Sequence, residues 1–400
     1  MANTFSADFR EIWAREQQEI LYKQNVARAI ANTTYEADLK NGDTLNKPYR
    51  SSNNIQKYVR GTAITIDDKT DTQDQLVINQ QYATGFYMDN MDDLQSNYNL
   101  ISEYARDDSE YLSNQIDADV LGEALNATTT VDDGTIGGTS GNGISLSTSN
   151  VQQVVGAVKK SLMKLNVTSG NLYGVVSPEF EDILIRYNAG RDTSMGDDFN
   201  KNGLVMSYYG FKIFRSNQLA GSAVLAMATD PTATNTVLIN GVTFTAQSTI
   251  GAVAGNFLVG TDADTSRAVL TAFINDPGTT SASQVALSAA NQRKFYNVSA
   301  TNDATANTMT VVHNGAGVIS VSETLAAAAD VWTPALQKQH NMFGKVGAVT
   351  LVVQKNASPD IRKVQDKLGV NVLNSILYGE TLYEIDKDKV VNVELQSSGF

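Results

Sequence analysis

The chain of 400 residues contains no cysteine, and that one absence removes disulfides, thiolate metal sites and a cysteine nucleophile together. Only two histidines occur, His313 and His340, which disfavours a multi-histidine metal centre. Basic residues are outnumbered, 30 Lys and Arg against 43 Asp and Glu, for a net charge of −13. A surface that grips nucleic acid all over needs clustered Lys and Arg, so that class is disfavoured. A protein that lies beside DNA without gripping it is still allowed. No apolar run approaches the roughly 18 residues of a membrane-spanning helix, so no transmembrane segment is expected. The opening MANTFSADFREIWAREQQEI has no basic segment followed by an apolar one. A signal peptide is therefore not expected, and the chain suits a reducing cytoplasm.

What is present is a hydrophobic content of 42%, enough for a sizeable core. The length corresponds to about two to three domains. Residues 7–31 read as one or two amphipathic helices, with Phe9, Ile12, Trp13, Ile20 and Leu21 at helical spacing. Residues 32–74 turn polar around the strand-like Ala63-Ile64-Thr65-Ile66, too long for a simple loop and better suited to an extended arm or hairpin. Strand character resumes over 75–88. A long helix is expected over 92–126, its stripe formed by Leu94, Ile101, Tyr104, Ala105, Tyr111, Leu112, Ile116, Val120, Leu121 and Leu125. Residues 128–149, rich in Thr, Gly and Ser, read as a linker or mobile loop. A helix over 150–165, a strand from Leu172 to Val176, and a helix opened by Ser177-Pro178-Glu179 follow. Residues 204–219 read as strand.

From 231 to 336 the texture changes. Only nine of these 106 residues are charged, about 8%, against about 22% elsewhere. Two strands meet at an Asn240-Gly241 turn, a short helix is expected over Asp264–Ile274, and strands over Phe295–Ala300 and Met309–Val312. This reads as a ββαββ module inserted into the chain. Beyond it come a buried strand from Val346 to Val353, a helix near 359–368 and an apolar finish from Val370 to Val393.

No motif carries catalytic chemistry. The run Gly134-Thr135-Ile136-Gly137-Gly138-Thr139-Ser140-Gly141 lacks the Lys of a phosphate loop and reads as a flexible loop. Asp89, Asp92 and Asp93 suit the positive end of the long helix better than a hard cation. Asp262 and Asp264 suit a helix cap better than a calcium loop. Neither histidine lies in a nucleophile or zinc motif. Catalytic, cofactor-binding and metal residues are therefore all expected to be absent, and the chain is expected not to be an enzyme.

The order of elements, with Phe86-Tyr87-Met88-Asp89, Gly174-Val175-Val176-Ser177-Pro178-Glu179 and Tyr209-Gly210-Phe211-Lys212-Ile213-Phe214-Arg215-Ser216-Asn217-Gln218-Leu219, resembles the major capsid proteins of tailed bacteriophages. Phe343-Gly344-Lys345-Val346, Leu377-Tyr378-Gly379 and Val390-Val391-Asn392-Val393 are similar to the segments that close the lobe there. The resemblance covers about 1–230 and 337–400. It implies an α+β fold of the Hong Kong 97 type, with a small β-rich insertion domain. An N-terminal arm would occupy 1–35, an extended loop 36–82, and a peripheral domain with its spine helix 83–147. An axial domain would take 148–230, the insertion 231–336, and 337–400 would complete the axial domain and return to the peripheral one. The implied function is a coat subunit that forms the hexamers and pentamers of an icosahedral virion shell around double-stranded DNA. The implied partners are copies of itself, a scaffolding protein, a portal protein, a decoration protein and packaged DNA held without sequence specificity, with no membrane partner. Assembly would take place in the host bacterial cytoplasm. The alternative within the same fold is an encapsulin-like compartment holding an enzyme cargo. A secreted adhesin and an unrecognised hydrolase are the competing classes, and the sequence supplies neither a secretion signal nor catalytic residues for them.

Overall fold

The computed structural model describes residues 25–37, 39, 42–50, 55–64, 66, 71–91, 100–189, 207–364 and 368–397. Along the first half run α1 (Ala27–Ile30), β1 (Thr44–Arg50), β2 (Asp71–Val77), β3 (Gln80–Asp89), α2 (Leu100–Gly122), β4 (Thr129–Val131), α3 (Val151–Lys164), β5 (Leu172–Val176), α4 (Pro178–Ala189), β6 (Ser207–Tyr208), β7 (Phe211–Arg215) and β8 (Ala220–Ala226). The second half holds β9 (Thr236–Ile239), β10 (Val242–Gln247), β11 (Asn256–Leu258), α5 (Ala263–Asn275), α6 (Ala289–Gln292), β12 (Val298–Asp303), β13 (Thr308–His313) and β14 (Val321–Glu323). It closes with β15 (Lys338–Lys345), β16 (Thr350–Lys355), β17 (Asp360–Lys363), β18 (Gly369–Thr381) and β19 (Val390–Gln396).

Among the described residues the largest sheet has nine strands, ordered β12-β13-β8-β15-β5-β7-β6, with β19 on the other side of β15 and β4 beyond it. β5 reads as a continuous apolar run because both its faces are covered, and all five of its residues are buried. Helices α3 and α4 close one face. Val151, Val154, Val155 and Val158 of α3 join Phe180 and Leu184 of α4 over Phe211 and Phe343. The α4 start follows its sequence signature: Ser177 Oγ accepts from Phe180 N at 3.2 Å, with Pro178 at the first helical position.

A second sheet places β18 centrally, with β3 along one side and β16 and β17 along the other. Helix α2 lies between the two sheets. Leu112, Ile116, Val120 and Leu121 pack with Tyr173 and Met342 of the large sheet and with Leu351, Ile376 and Tyr378 of the small one. The helix expected over 92–126 is seen from Leu100 to Gly122, about 35 Å long, and ends in a 3-10 turn, Glu123–Asn126. Residues 92–99, including Leu94, lie outside the described residues. Tyr104 and Tyr111 are exposed rather than part of the stripe. Each sits one position before a buried residue, Ala105 and Leu112, and so is turned about 100° away.

Four other local expectations give way. The helix expected near 359–368 is the strand β17, because residues 360–363 pair with β18 from Asp360↔Leu373 to Lys363↔Val370 and the ladder outweighs local propensity. Ala63, Ile64 and Ile66 are not in a strand; the partner of β1 is β2, in register from Thr44↔Val77 to Arg50↔Asp71. Of the strand expected over 204–219, residues 204–206 lie outside the described residues and Ser207–Arg215 form a hairpin, turned at Tyr209 and Gly210 with φ of 52° and 86°. Residues 128–149 are not a loose linker, as described below. The helices expected over 7–31 fall mainly on residues 1–24, outside the described residues.

Residues 231–336 build a sheet of order β11-β10-β9-β14, covered by α5. Asn240 and Gly241 form the β9–β10 turn with φ of 51° and 72°, the pair of left-handed residues that a two-residue hairpin turn demands. Asp262 caps α5 by accepting from Thr265 N at 2.8 Å. The next pair of strands leaves this small sheet: β13 pairs with β12 on one side and with β8 of the large sheet on the other.

Candidate assembly surfaces

The β1–β2 hairpin stands on a small base. Leu76 and Ile78 are buried with Leu39, Val352 and Tyr383. Lys47 reaches Asp386 at 3.3 Å and lies 4.4 Å above the Tyr383 ring, and Glu384 N donates to Asp74 at 2.9 Å. Beyond that base no third strand joins the ladder among the described residues, which is why Pro48 is tolerated inside β1: a two-stranded ribbon is all edge. The described residues toward the tip carry exposed apolar side chains among polar ones. Ile55 is 101% exposed and Ile66 89%, with Tyr58, Val59 and Ile64 exposed beside them. Tyr58 is thus accessible, and Trp13 lies outside the described residues. A second open edge is β17, exposed at every residue, where Arg362 meets Asp360 at 2.6 Å beside Ile361.

A buried polar chain ties three elements together. Tyr378 of β18 donates to Asp119 of α2, Gln115 Nε2 reaches both oxygens of Asp119 at 3.1 Å, and Asn297 Nδ2 donates to Gln115 Oε1 at 2.7 Å. Glu380 and Glu123 flank this chain. Burial pushes all three carboxyls up; for Glu380, burial together with the charges of Asp119 and Glu123 raises it to about 8. Beside the chain lies a cleft of about 580 Å³ between α2, β3 and the 231–336 unit, lined by Tyr82, Gln115, Arg293, Lys294, Tyr296 and His313.

The Gly-rich run has a rigid reason for its composition. Asp132 accepts from Thr135 N at 2.9 Å and Gly141 N at 2.6 Å, and Asp133 accepts from Thr139 N at 2.8 Å. The amides that a phosphate would use are taken by the chain's own carboxylates. Burial raises the Asp132 carboxyl, but the bonds from Gly141 and Thr135 outweigh it and hold the group below the usual range. Asp89 Oδ1 accepts from Met91 N at 2.9 Å, a capping role at the start of a helical segment. Asp92 and Asp93 lie outside the described residues.

The fold also brings together residues that are far apart in sequence. His340 Nε2 lies 2.8 Å from Ser222 Oγ, and its Nδ1 lies 3.2 Å from Asn392 Oδ1. This resembles a nucleophile, base and orienting residue, but all three are buried in the ladder where β15 meets β8 and β19. A nucleophile needs a reacting atom about 3 Å away; Ser222 instead sits inside the sheet, and the trio acts as a polar tie between strands. Among the described residues no three His, Asp or Glu side chains gather as a metal site, and no helix is long and apolar enough to cross a membrane.

Comparison with solved structures places this architecture among phage capsids. A chain of Mycobacterium phage Che8 is 14% identical with a TM-score of 0.59, covering 97% of this chain and 98% of that one. The capsid of the cyanophage P-SCSP1u gives 10% identity and a TM-score of 0.55, over 98% and 94% of the two chains. The mature capsid of bacteriophage PhiM1 gives 10% and 0.52, over 97% and 92%. At these identities the likeness is one of fold, the Hong Kong 97 type. No curated protein matches in sequence. The family model described as phage capsid protein matches residues 49–277, more than half of the sequence, and the chain belongs to that family, the structural proteins that form the heads of tailed phages.

Proposed function

We infer that the chain assembles with copies of itself into hexamers and pentamers of an icosahedral head, and that this shell encloses double-stranded DNA. The observation that carries this reading is the hairpin tip. Ile55, Ile64 and Ile66 are more than half exposed, on a ribbon with no core of its own. Each isoleucine gains about 1.5–3 kcal/mol on burial, and a neighbouring subunit would supply that cover. The net charge of −13 suits a wall that contains DNA without holding it. In this reading 36–82 reaches a neighbour, and 83–147 forms the peripheral region. Residues 148–230 with 337–400 surround the capsomer centre, and 231–336 is an accessory insertion. A scaffolding protein, a portal at one vertex and a decoration protein would complete the particle, built in the host cytoplasm. The role is structural, with no reaction catalysed.

The test is co-expression with the scaffolding protein of the same phage, followed by negative-stain microscopy. Closed hollow particles are expected from the unaltered chain. The double variant Ile55→Asp, Ile66→Asp should give folded subunits and no shells. Shells of normal yield from that variant would remove the hairpin tip from the assembly interface.

A further inference from the structure

The stretch from 231 to 336 contains three cations, Arg267, Arg293 and Lys294. Arg267 is buried and fully engaged: its guanidinium meets Asp264 at 3.0 Å and donates to Asn302 Oδ1 at 3.0 Å. Arg293 and Lys294 differ. Both are exposed, and among the described residues neither side chain has a hydrogen bond or an ion pair. In a chain with 43 acidic residues, two consecutive cations without a carboxylate are an uncompensated charge.

Their placement is fixed by the core beneath them. They follow α6 in the 3-10 turn Arg293–Phe295. Phe295 is buried and holds that turn down, its ring edge-on to Phe244 with centroids 5.4 Å apart. Both cations line the cleft of about 580 Å³ between this unit, α2 and β3. That volume falls in the roughly 300–1,000 Å³ range of small-molecule sites. Tyr296, 66% exposed, adds a ring beside the two cations. Tyr82 of β3 lines the cleft from the other side, its ring stacked on Tyr378 with centroids 6.2 Å apart. Asp119, one hydrogen bond beyond Gln115, is buried and takes the bonds of Gln115 and Tyr378.

The chemistry of this wall selects a ligand class. A phosphoryl ester carries a charge of about −1.5 to −2 at neutral pH and three strong acceptor oxygens, where a carboxylate carries one charge. Arg meets such a group with two parallel N–H donors and Lys meets it as a point charge. The Tyr296 hydroxyl is a neutral donor at the same wall, and the two tyrosine rings give flat apolar surface for the group that bears the phosphate. A DNA backbone suits the cleft less, because it needs a row of cations along its length and the cleft holds two at one point.

We propose that this cleft binds the phosphoryl group of a small molecule, with Arg293 and Lys294 holding its oxygens and Tyr82 and Tyr296 flanking the rest. A ligand held there touches the 231–336 unit on one side and α2 and β3 on the other, so its binding ties the two together.

The test is calorimetric titration of the unassembled full-length subunit with inorganic phosphate and with AMP, the ionic strength held constant with sodium chloride. Saturable binding of at least one of them is expected. The double variant Arg293→Gln, Lys294→Gln should weaken it about tenfold or more, since each cation supplies a charge-assisted bond. Neither side chain has a bond to lose, so the variant should keep the urea midpoint of the unaltered chain when no ligand is present. Tighter binding of AMP than of phosphate assigns an ester whose ring uses the tyrosines; equal or tighter binding of phosphate assigns the free anion. A second readout is local: saturating AMP or phosphate should slow acetylation of Lys294, followed by mass spectrometry, and leave Lys363 unchanged. Absence of saturable binding, binding that the double variant leaves unaltered, or a short DNA duplex that protects Lys294 better than AMP and phosphate do would each overturn the proposal.

Discussion

Replacing Glu380 by glutamine should stabilise the subunit, and more so as pH rises. Glu380 sits on β18 beside the buried Asp119 and Glu123, and one of its oxygens accepts from Gln80 Nε2 at 3.4 Å. It ionises at about 8 in the folded chain and at the ordinary glutamate value of 4.5 when unfolded. Above pH 4.5 the unfolded chain has lost a proton that the folded chain still holds. The contribution to stability is therefore complete below 4.5 and falls as pH rises, until the folded group itself ionises near 8. At pH 7 the loss reaches at most about 3.4 kcal/mol, from roughly 2.5 pH units above the unfolded value at 1.36 kcal/mol each. Coupling to Asp119 and Glu123 shares the proton among the three groups, so an effect on the order of 1–2 kcal/mol is the working figure. Gln keeps the acceptor for Gln80 and removes the charge. Urea titrations of unassembled subunit at pH 5, 7 and 9 give the assay. The variant should match the unaltered chain at pH 5 and exceed it at pH 7 and 9. A variant that is equally stable at all three, or weaker at pH 9, would refute the reasoning.

Three further outcomes follow from packing and burial. Leu112→Asp puts a charge between the two sheets and should cost several kcal/mol, on the order of a buried unpaired charge, read as a lowered urea midpoint. Burial holds His340 neutral, lowering it to about 4. The unfolded chain takes up a proton below pH 6.5 that the folded chain refuses, so stability should fall by up to about 3 kcal/mol between pH 6.5 and 4 and then level off. His340→Asn should flatten that part of the profile. In Gly174→Ala the new Cβ would lie 2.4 Å from the Phe343 ring, and the overpacking should cost about 1–3 kcal/mol in thermal or urea unfolding.

What the sequence made legible was local. The Ser177-Pro178 helix start, the Asn240-Gly241 turn, the Asp262 cap and the apolar β5 each follow from a few neighbouring residues. The elements misread were those decided by distant partners. β17 is a strand because β18 lies beside it, some ten residues away, and its residues carry no alternation of their own. Tyr104 and Tyr111 looked like stripe residues because periodicity alone cannot tell a wide apolar face from a narrow one. The Gly-rich run looked mobile because its order comes from two carboxylates, Asp132 and Asp133, that no pattern links to Thr135, Thr139 and Gly141 in advance. For the surfaces, the long polar stretch announced an extended arm or a hairpin, and the exposure of Ile55, Ile64 and Ile66 needed the structure. The tie between Ser222, His340 and Asn392 had no sequence signal, since its members are 52 to 170 positions apart.

Strand β8 shows why the low-charge segment cannot be weighed apart from its surroundings. Its Ala220, Gly221 and Ser222 pair with β15, while the stretch from Gly221 to Ala226 pairs with β13. Its Ala223 and Leu225, with the following Met227, belong to the same apolar core as Val237, Phe244, Leu270 and Phe273. One strand thus carries the ladder of the large sheet and one wall of the core within residues 231–336. Removing 231–336 would strip β8 of its β13 partner and bare those three side chains, an open edge with an apolar face of the kind that pairs with other chains. The second fastening is polar: Asn297 of this segment reaches Gln115, which holds Asp119 and through it Tyr378. A tilt of the segment relative to α2 would therefore be felt at β18 in the other sheet, so the ladder on one side and the hydrogen-bond chain on the other bind the segment to both halves of the subunit at once.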